Sequence, residues 1–131
     1  MPRGADDERG EADVIVDVVF EDGLLFLTVA NIGDRPAHRV RVRFEEQFAG
    51  LGGTKKMHSL ALFRKLEFLA PRKEIRAFLD RSASYFARGE PTTLTADVSW
   101  RTSEGRRCSQ AIRHDLDVYR DLAYIDKEAP E

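Results

Sequence analysis

The chain has 131 residues, 42% of them hydrophobic, which suffices for one hydrophobic core and is too short for several domains. Its 21 Lys and Arg residues against 23 Asp and Glu residues give a net charge of −2, so it lacks the overall basic excess of most nucleic-acid-binding proteins. No apolar run approaches the roughly 20 residues of a membrane span, and the single cysteine, Cys108, excludes an internal disulfide.

The two ends of the chain are polar and charged. Residues 1–12 are predicted to be a mobile N-terminal tail and residues 126–131 a C-terminal tail, so the folded domain should span residues 13–125. The N-terminus has no hydrophobic signal core, which together with the lone cysteine predicts a cytoplasmic location. If the sequence is a fragment, the alternative is the soluble portion of a membrane-associated protein.

The first predicted element is a β-hairpin. Residues 13–21 and 24–31 alternate in hydrophobicity with a period of two, which is typical of half-buried strands. Asp22-Gly23 separates them, and this dipeptide readily takes the positive φ angles of a tight turn. The residues predicted to face the core are Val14, Val16, Val18, Phe20, Leu25, Leu27 and Val29.

The third predicted strand has the clearest alternation in the chain. Its apolar set, with one histidine, is predicted to face the core and comprises His38, Val40, Val42 and Phe44. Arg39, Arg41 and Arg43 face the other way, and a strand with one polar side indicates an antiparallel sheet. These arginines would form a basic stripe with a repeat of roughly 7 Å, and they are the candidate binding residues. The alternative interpretation is a solvated face neutralised by neighbouring acids.

The middle of the chain has a weaker pattern. Residues 47–58 contain three glycines and predict a long flexible loop. Residues 59–70 predict one bent strand or two short ones. Residues 74–80 predict a further strand, and residues 81–91 a connection with one helical turn capped by Ser82.

A second hairpin is predicted over residues 92–101 and 106–117. Their apolar sets can face the same way only if Trp100 pairs with Cys108, Val98 with Gln110 and Ala96 with Ile112. That register leaves the loop Ser103-Glu104-Gly105, with the glycine where a left-handed residue is needed. On the polar face, a cross-strand ion pair between Asp97 and Arg113 is expected.

Taken together, these elements predict an all-β protein. About seven short strands with regular turns are typical of an immunoglobulin-like antiparallel β-sandwich. Val118, Leu122 and Ile125 have helical spacing, so residues 117–125 predict a short C-terminal helix.

Residues 29–42 carry the pattern V-x-N-x-G-x-x-P-A-x-x-V-x-V. This pattern resembles the strand-turn-strand core of bacterial CARDB and fibronectin-type domains. Leu69-Ala70-Pro71 resembles the next element of that family, although Arg72 stands where the family usually has Gly. The resemblance implies a non-catalytic module, often attached to membrane or surface proteins, and a fold alone implies nothing more specific.

No catalytic, metal or cofactor site is predicted. Cys108 and His114 share one strand face, but six residues of strand separate them by roughly 20 Å, so they cannot form a nucleophile-base pair. The three histidines have no metal-ligand spacing. Gly50-Leu51-Gly52-Gly53-Thr54-Lys55-Lys56 lacks the order of a phosphate-binding loop.

The leading functional hypothesis is therefore a non-enzymatic protein-interaction module whose process and partner are unknown. Its candidate surfaces are the Arg39, Arg41 and Arg43 stripe and an exposed sheet edge, which would also permit a homo-oligomer. The first alternative is a small-ligand binder or enzyme with a loop-built site, using His58 or Tyr85. The second is weak nucleic-acid binding through the arginine stripe, which the net charge disfavours.

Overall fold

The computed structural model describes residues 10–122, and strands dominate this part of the chain. The strands are β1 Val14–Glu21, β2 Leu24–Asn31, β3 Ala37–Phe44, β4 Ala49–Gly50, β5 Lys55–Lys56, β6 Leu66–Leu69, β7 Lys73–Arg81, β8 Thr93–Arg101 and β9 Arg107–Asp115. The helices are α1 Ala61–Arg64 and α2 Ser82–Ala87, with 3-10 turns at Leu51–Gly53 and Met57–Ser59. Residues 118–122 are also helical.

The seven longer strands form two antiparallel sheets. One has the order β1-β2-β7 and the other the order β6-β3-β8-β9, while β4 and β5 form a separate two-residue ladder. Apolar side chains of both sheets meet in one core, whose fully buried members include Val14, Leu27, Val29, Val40, Leu69, Ala96 and Val98. The predicted all-β antiparallel sandwich of about seven strands is confirmed.

The two predicted hairpins are confirmed in position, and the second also in its predicted register. In the β1-β2 hairpin Glu21 pairs with Leu24, and the intervening Asp22 and Gly23 have φ angles of 54° and 77°. Positive φ at both central residues defines the turn whose twist matches that of the flanking strands. In the β8-β9 hairpin Trp100 pairs with Cys108, and Gly105 takes the left-handed conformation with φ of 89°.

The core-facing set of β3 was predicted wrongly at one position. Between His38 and Arg41 the register with β8 shifts, so Arg39 and Val40 together oppose the single residue Trp100. This bulge reverses the alternation, because Ala37 and Val40 are both buried while His38 lies on the outer face against Phe68. Val40, Val42 and Phe44 face the core as predicted.

The segment between β3 and β6 is more ordered than a flexible loop. Phe48 and Met57 are buried, and β4 pairs with β5 in the stretch between these two residues. Phe63 of α1 packs edge-on against Phe44 at 5.1 Å between ring centroids. Where residues 59–70 predict only strand, the structure has a 3-10 turn, α1 and the four-residue strand β6.

The helical turn predicted after β7 is confirmed as α2, but its predicted cap is wrong. The N-cap residue is Arg81, with no side-chain cap, and Ser82 is the first helical residue. The Ser82 amide instead donates to the Gly23 carbonyl at 2.9 Å. A contact with the first hairpin therefore fixes the start of this helix.

At the N-terminal boundary, residues 10–12 are part of the folded structure, although residues 1–12 were assigned to a tail. Ala12 is buried, and the Asp34 amide donates to the Glu11 carbonyl at 3.1 Å. Residues 1–9, the tail 126–131 and the end of the predicted helix 117–125 lie outside the described residues.

The hydroxyl of Thr28 offers a direct test of packing at the centre of the three-stranded sheet. Thr28 is buried in β2, and its Oγ1 has no hydrogen-bond partner among the described residues. A buried hydroxyl without a partner is destabilising by about 1–3 kcal/mol, and valine has nearly the same shape. We therefore expect Thr28→Val to raise the free energy of unfolding by about 1 kcal/mol in urea denaturation. An unchanged or lower value would show that the hydroxyl is satisfied in solution.

Candidate functional site

The outer face of the four-stranded sheet carries a concentration of arginines that we call the arginine face. It consists of Arg39, Arg41, Arg43, Arg64, Arg101, Arg107 and Arg113. The first three are the stripe predicted from the sequence. The other four come from α1, β8 and β9, and Arg41 is half-buried while the rest are exposed.

Strand pairing assembles this face. In β9 every second residue from Arg107 to Asp115 is exposed, and the alternate residues from Cys108 to His114 are half-buried. The β3-β8 pairing places Arg41 opposite Ser99 and Arg43 opposite Asp97. The stripe of β3 is thereby joined, across β8, to the polar side of β9.

Arg39 sits at the β3 bulge in an unfavourable backbone conformation. Its φ angle is 50°, in the left-handed region that glycine occupies without strain. For a residue with a side chain this conformation costs about 1 kcal/mol. Glycine is the usual residue at such a bulge position. The arginine side chain is therefore held on this surface at a cost in stability.

A groove of about 660 Å³ runs along the centre of the arginine face. Its polar lining comes from β3, α1, β8, β9 and the turn before α1, and comprises Arg41, Arg43, His58, Ser59, Arg64, Asp97, Ser99, Arg107 and Ser109. Phe44 and Phe63 lie at its base and are buried. The groove thus presents hydrogen-bond donors to the outside over an apolar floor.

Few carboxylates neutralise the arginine face. Arg41 donates to Glu67 at 2.8 Å and to the Leu66 carbonyl at 3.1 Å. For the other six arginines no carboxylate lies within 4.0 Å among residues 10–122. Arg113 pairs with Thr95 and lies diagonal to Asp97 as the predicted register requires, but the expected ion pair between Asp97 and Arg113 is not formed. The face therefore has a positive excess although the whole chain has a net charge of −2.

The edge of the three-stranded sheet at β1 is closed by side chains from β9 and from the helical residues 118–122. Gln110, His114 and Tyr119 donate to the β1 carbonyls of Val14 at 2.8 Å, Val16 at 2.7 Å and Val18 at 3.3 Å. These carbonyls already have partners, so this edge is poorly suited to accept a partner's strand. Strand addition to the described sheets is left to the β6, β7 and β9 edges.

The segments 47–58 and 81–91, which hold the ligand-site candidates His58 and Tyr85, contact each other. Their polar groups are engaged in hydrogen bonds within the protein. Arg88 after α2 donates to Asp80 at 2.7 Å and to the Ala49 carbonyl at 2.9 Å, and Asp80 accepts from the Gly52 amide at 3.1 Å. Tyr85 is fully buried, and its hydroxyl donates to the Pro91 carbonyl at 2.6 Å. We call these contacts the Arg88 cluster.

Burial and charge keep the Tyr85 hydroxyl of the Arg88 cluster protonated. Burial raises the pKa of the Tyr85 hydroxyl, and the neighbouring Glu90 raises it further. Tyr85 is consequently a hydrogen-bond donor at neutral pH, and its ring lies 5.8 Å from the Arg88 guanidinium carbon. His58 does not join this cluster; its Nδ1 accepts from the Phe48 amide at 3.3 Å, and it lines the groove of the arginine face.

Cys108 and His114 have separate environments. Cys108 is half-buried opposite Trp100, and Arg106 donates to its Sγ at 3.6 Å. The His114 Nε2 donates a hydrogen bond to the Val16 carbonyl at 2.7 Å. Within residues 10–122 no group of three His, Cys, Asp or Glu side chains is placed to hold a metal ion.

Sequence comparison places the chain in a family. The family described as a domain of unknown function, DUF8453, matches residues 3–120, and the chain belongs to it. No curated protein and no solved structure matches the sequence. No helix among the described residues is long and apolar enough to cross a membrane.

Proposed function

We propose that the chain is a non-catalytic protein-interaction module with an immunoglobulin-like sandwich of the fibronectin type. Its strands divide into sheets of three and four, with the third, fourth, sixth and seventh long strands sharing one sheet. This division and the V-x-N-x-G motif support the class. The module binds an acidic segment of a partner protein on the arginine face.

The observation that carries this proposal is the segregation of charge. Seven arginines share one face of a chain with a net charge of −2, and one of the seven has a carboxylate partner within the described residues. Like charges held together without counter-charges repel, so the arrangement favours association with an anionic surface. An extended acidic segment repeats its side chains every ~7 Å on one side, as β3 does at Arg41 and Arg43 beyond its bulge.

Two features favour a protein over a nucleic acid. Asp97 lines the groove beside the arginines, where it would repel a continuous phosphate backbone. The aromatic side chains at the base of the groove, Phe44 and Phe63, are buried and offer no face for a base to stack on. A partner with acidic and hydroxyl side chains fits a groove of mixed lining better.

Charge reversal on the face tests the proposal. We expect Arg43→Glu combined with Arg107→Glu to weaken binding of a labelled peptide of alternating Glu and Thr by about tenfold or more at low salt. Both residues are exposed, so the fold should be unaffected. Fluorescence anisotropy would measure the affinity, and the unfolding midpoint would verify the fold.

The matched control is Arg72→Glu with Arg81→Glu, which changes the net charge equally at two exposed positions outside the arginine face. This pair should weaken binding far less. An equal loss in both pairs would show a response to net charge alone and would contradict the proposal. Tighter binding of a ten-nucleotide oligothymidylate than of the peptide, lost in the same face variant, would instead support the nucleic-acid interpretation.

A further inference from the structure

We infer that the bulge end of the arginine face is a subsite for a phosphoryl group carried on a side chain of the partner protein. This inference rests on the proposed function and makes it specific. The subsite is a cleft of about 190 Å³ lined by Arg39, Arg41, Ser99, Trp100, Arg101 and Arg107. Four arginines from three adjacent strands therefore line one small space, and the Arg41 guanidinium is turned toward β6, where it donates to Leu66 and Glu67.

The charges around this cleft are poorly balanced. Arg41 is paired with Glu67 at 2.8 Å, and Arg101 donates to the Gly105 carbonyl at 3.0 Å, which leaves its charge uncompensated. Arg39 and Arg107 have no carboxylate within 4.0 Å among residues 10–122. A single carboxylate on a ligand would leave most of this positive charge unmatched. A phosphoryl group carries close to two negative charges at neutral pH and three acceptor oxygens.

The geometry of arginine suits such a group. The guanidinium presents its N–H donors in a planar fork that binds two oxygens of a phosphate at once, and arginine clusters are the usual means of binding phosphorylated side chains. The Ser99 hydroxyl lies in the same cleft and adds a neutral donor. The adjoining cleft of about 350 Å³, lined by His38, Arg39 and Ser103 among others, leaves room for the chain on one side of the phosphorylated residue.

The backbone at Arg39 allows its side chain to be removed without adding backbone strain. The bulge gives Arg39 a φ of 50°, a conformation in which glycine would be free of strain. If the residue served only to form the bulge, glycine would do so better. Arg39 lines both clefts, and a guanidinium side chain is what arginine adds at this position.

The variant Arg39→Gly separates binding from folding. We expect it to leave the unfolding midpoint unchanged or raise it by a few degrees, because backbone strain is relieved. We expect it to weaken binding of a nine-residue phosphoserine peptide by about tenfold or more, measured by calorimetry. The same peptide with serine in place of phosphoserine should bind much more weakly to the unaltered protein, and inorganic phosphate should bind more weakly than the phosphopeptide.

The chain contains a matched control in Arg72, which is exposed and also left-handed, with φ of 61°. Arg72→Gly makes the same change in residue type, charge and backbone freedom away from the cleft, and it should leave phosphopeptide affinity within about twofold. Equal losses in the two variants, or no preference for phosphoserine over serine, would overturn the inference. Inorganic phosphate binding as tightly as the phosphopeptide would overturn a protein source for the group. If Arg39→Gly binds normally while the Arg43 and Arg107 reversal abolishes acidic-peptide binding, the subsite is wrong and the proposed function stands.

Discussion

Replacing Asn31 by Asp is expected to lower the free energy of unfolding by about 3 kcal/mol or more, although the two side chains have the same shape. Asn31 is 1% exposed and uses all of its hydrogen-bonding capacity. Its Oδ1 accepts from the amides of Asp13 at 3.1 Å and Gly33 at 3.0 Å. Its Nδ2 donates to the carbonyls of Arg35 at 2.8 Å and Leu69 at 3.2 Å.

The aspartate would place an acceptor oxygen against those two carbonyls. Both carbonyls would lose their donor, and a buried negative charge would face two partial negative charges. Urea denaturation of both forms at neutral pH measures the effect. The control is Asp34→Asn, the reverse exchange at an exposed neighbour, which should change stability by less than about 1 kcal/mol because its ion pair with Arg72 is at the surface. A loss of less than about 1 kcal/mol for Asn31→Asp would show that the four bonds do not secure this corner.

The contacts of Asn31 also explain the V-x-N-x-G pattern, on which the resemblance to CARDB and fibronectin-type domains depends. The motif indicates a turn, and its asparagine bonds to Gly33 and Arg35 within that turn but also to the Leu69 carbonyl at the end of β6, 38 residues further along the chain. Gly33 is required because a Cβ there would lie 1.8 Å from the Glu11 carbonyl oxygen. At the departure from the family pattern, Arg72 adopts φ of 61°, so an arginine here takes the backbone conformation that favours glycine.

The hairpins could be predicted because their determinants are local. A period of two and the turn residues Asp22-Gly23 or Gly105 each specify one register, and both requirements agree. The β3 bulge could not be predicted, since alternation continues through it in the sequence and nothing marks Arg39 as left-handed. That bulge moved His38 out of the core.

The arginine face was only partly predictable for a similar reason. Alternation alone placed Arg39, Arg41 and Arg43 on one side of a strand. Which strand lies beside β3 depends on long-range pairing, so the addition of Arg101 and Arg107 through β8 and β9 required the structure. The segment after β3 was likewise predicted as a loop from its glycines, whereas Phe48, Met57 and Phe63 anchor it to the core.

The Arg88 cluster is where a second large loss of stability is expected. Replacing Arg88 by Met should lower the free energy of unfolding by about 3 kcal/mol, because it removes the partner of the Asp80 carboxylate, which is 3% exposed. The Ala49 carbonyl would lose its donor as well. Arg88 ties β7, α2 and the segment before β5 together, so the effect should include faster amide exchange in residues 49–56.

A double-mutant cycle separates the ion pair from the packing of the arginine stem. Asp80→Asn keeps an acceptor for the Gly52 amide, gives up the one for the Arg81 amide and removes the buried charge, so it should by itself destabilise less than Arg88→Met. In the Asp80→Asn background, Arg88→Met no longer strands a carboxylate and should cost markedly less than it does alone. Additive losses would show instead that Arg88 acts through its carbonyl contacts and its packing on Tyr85. In that case the charge of Asp80 would be supported by its bonds to the amides of Gly52 and Arg81 without help from the guanidinium.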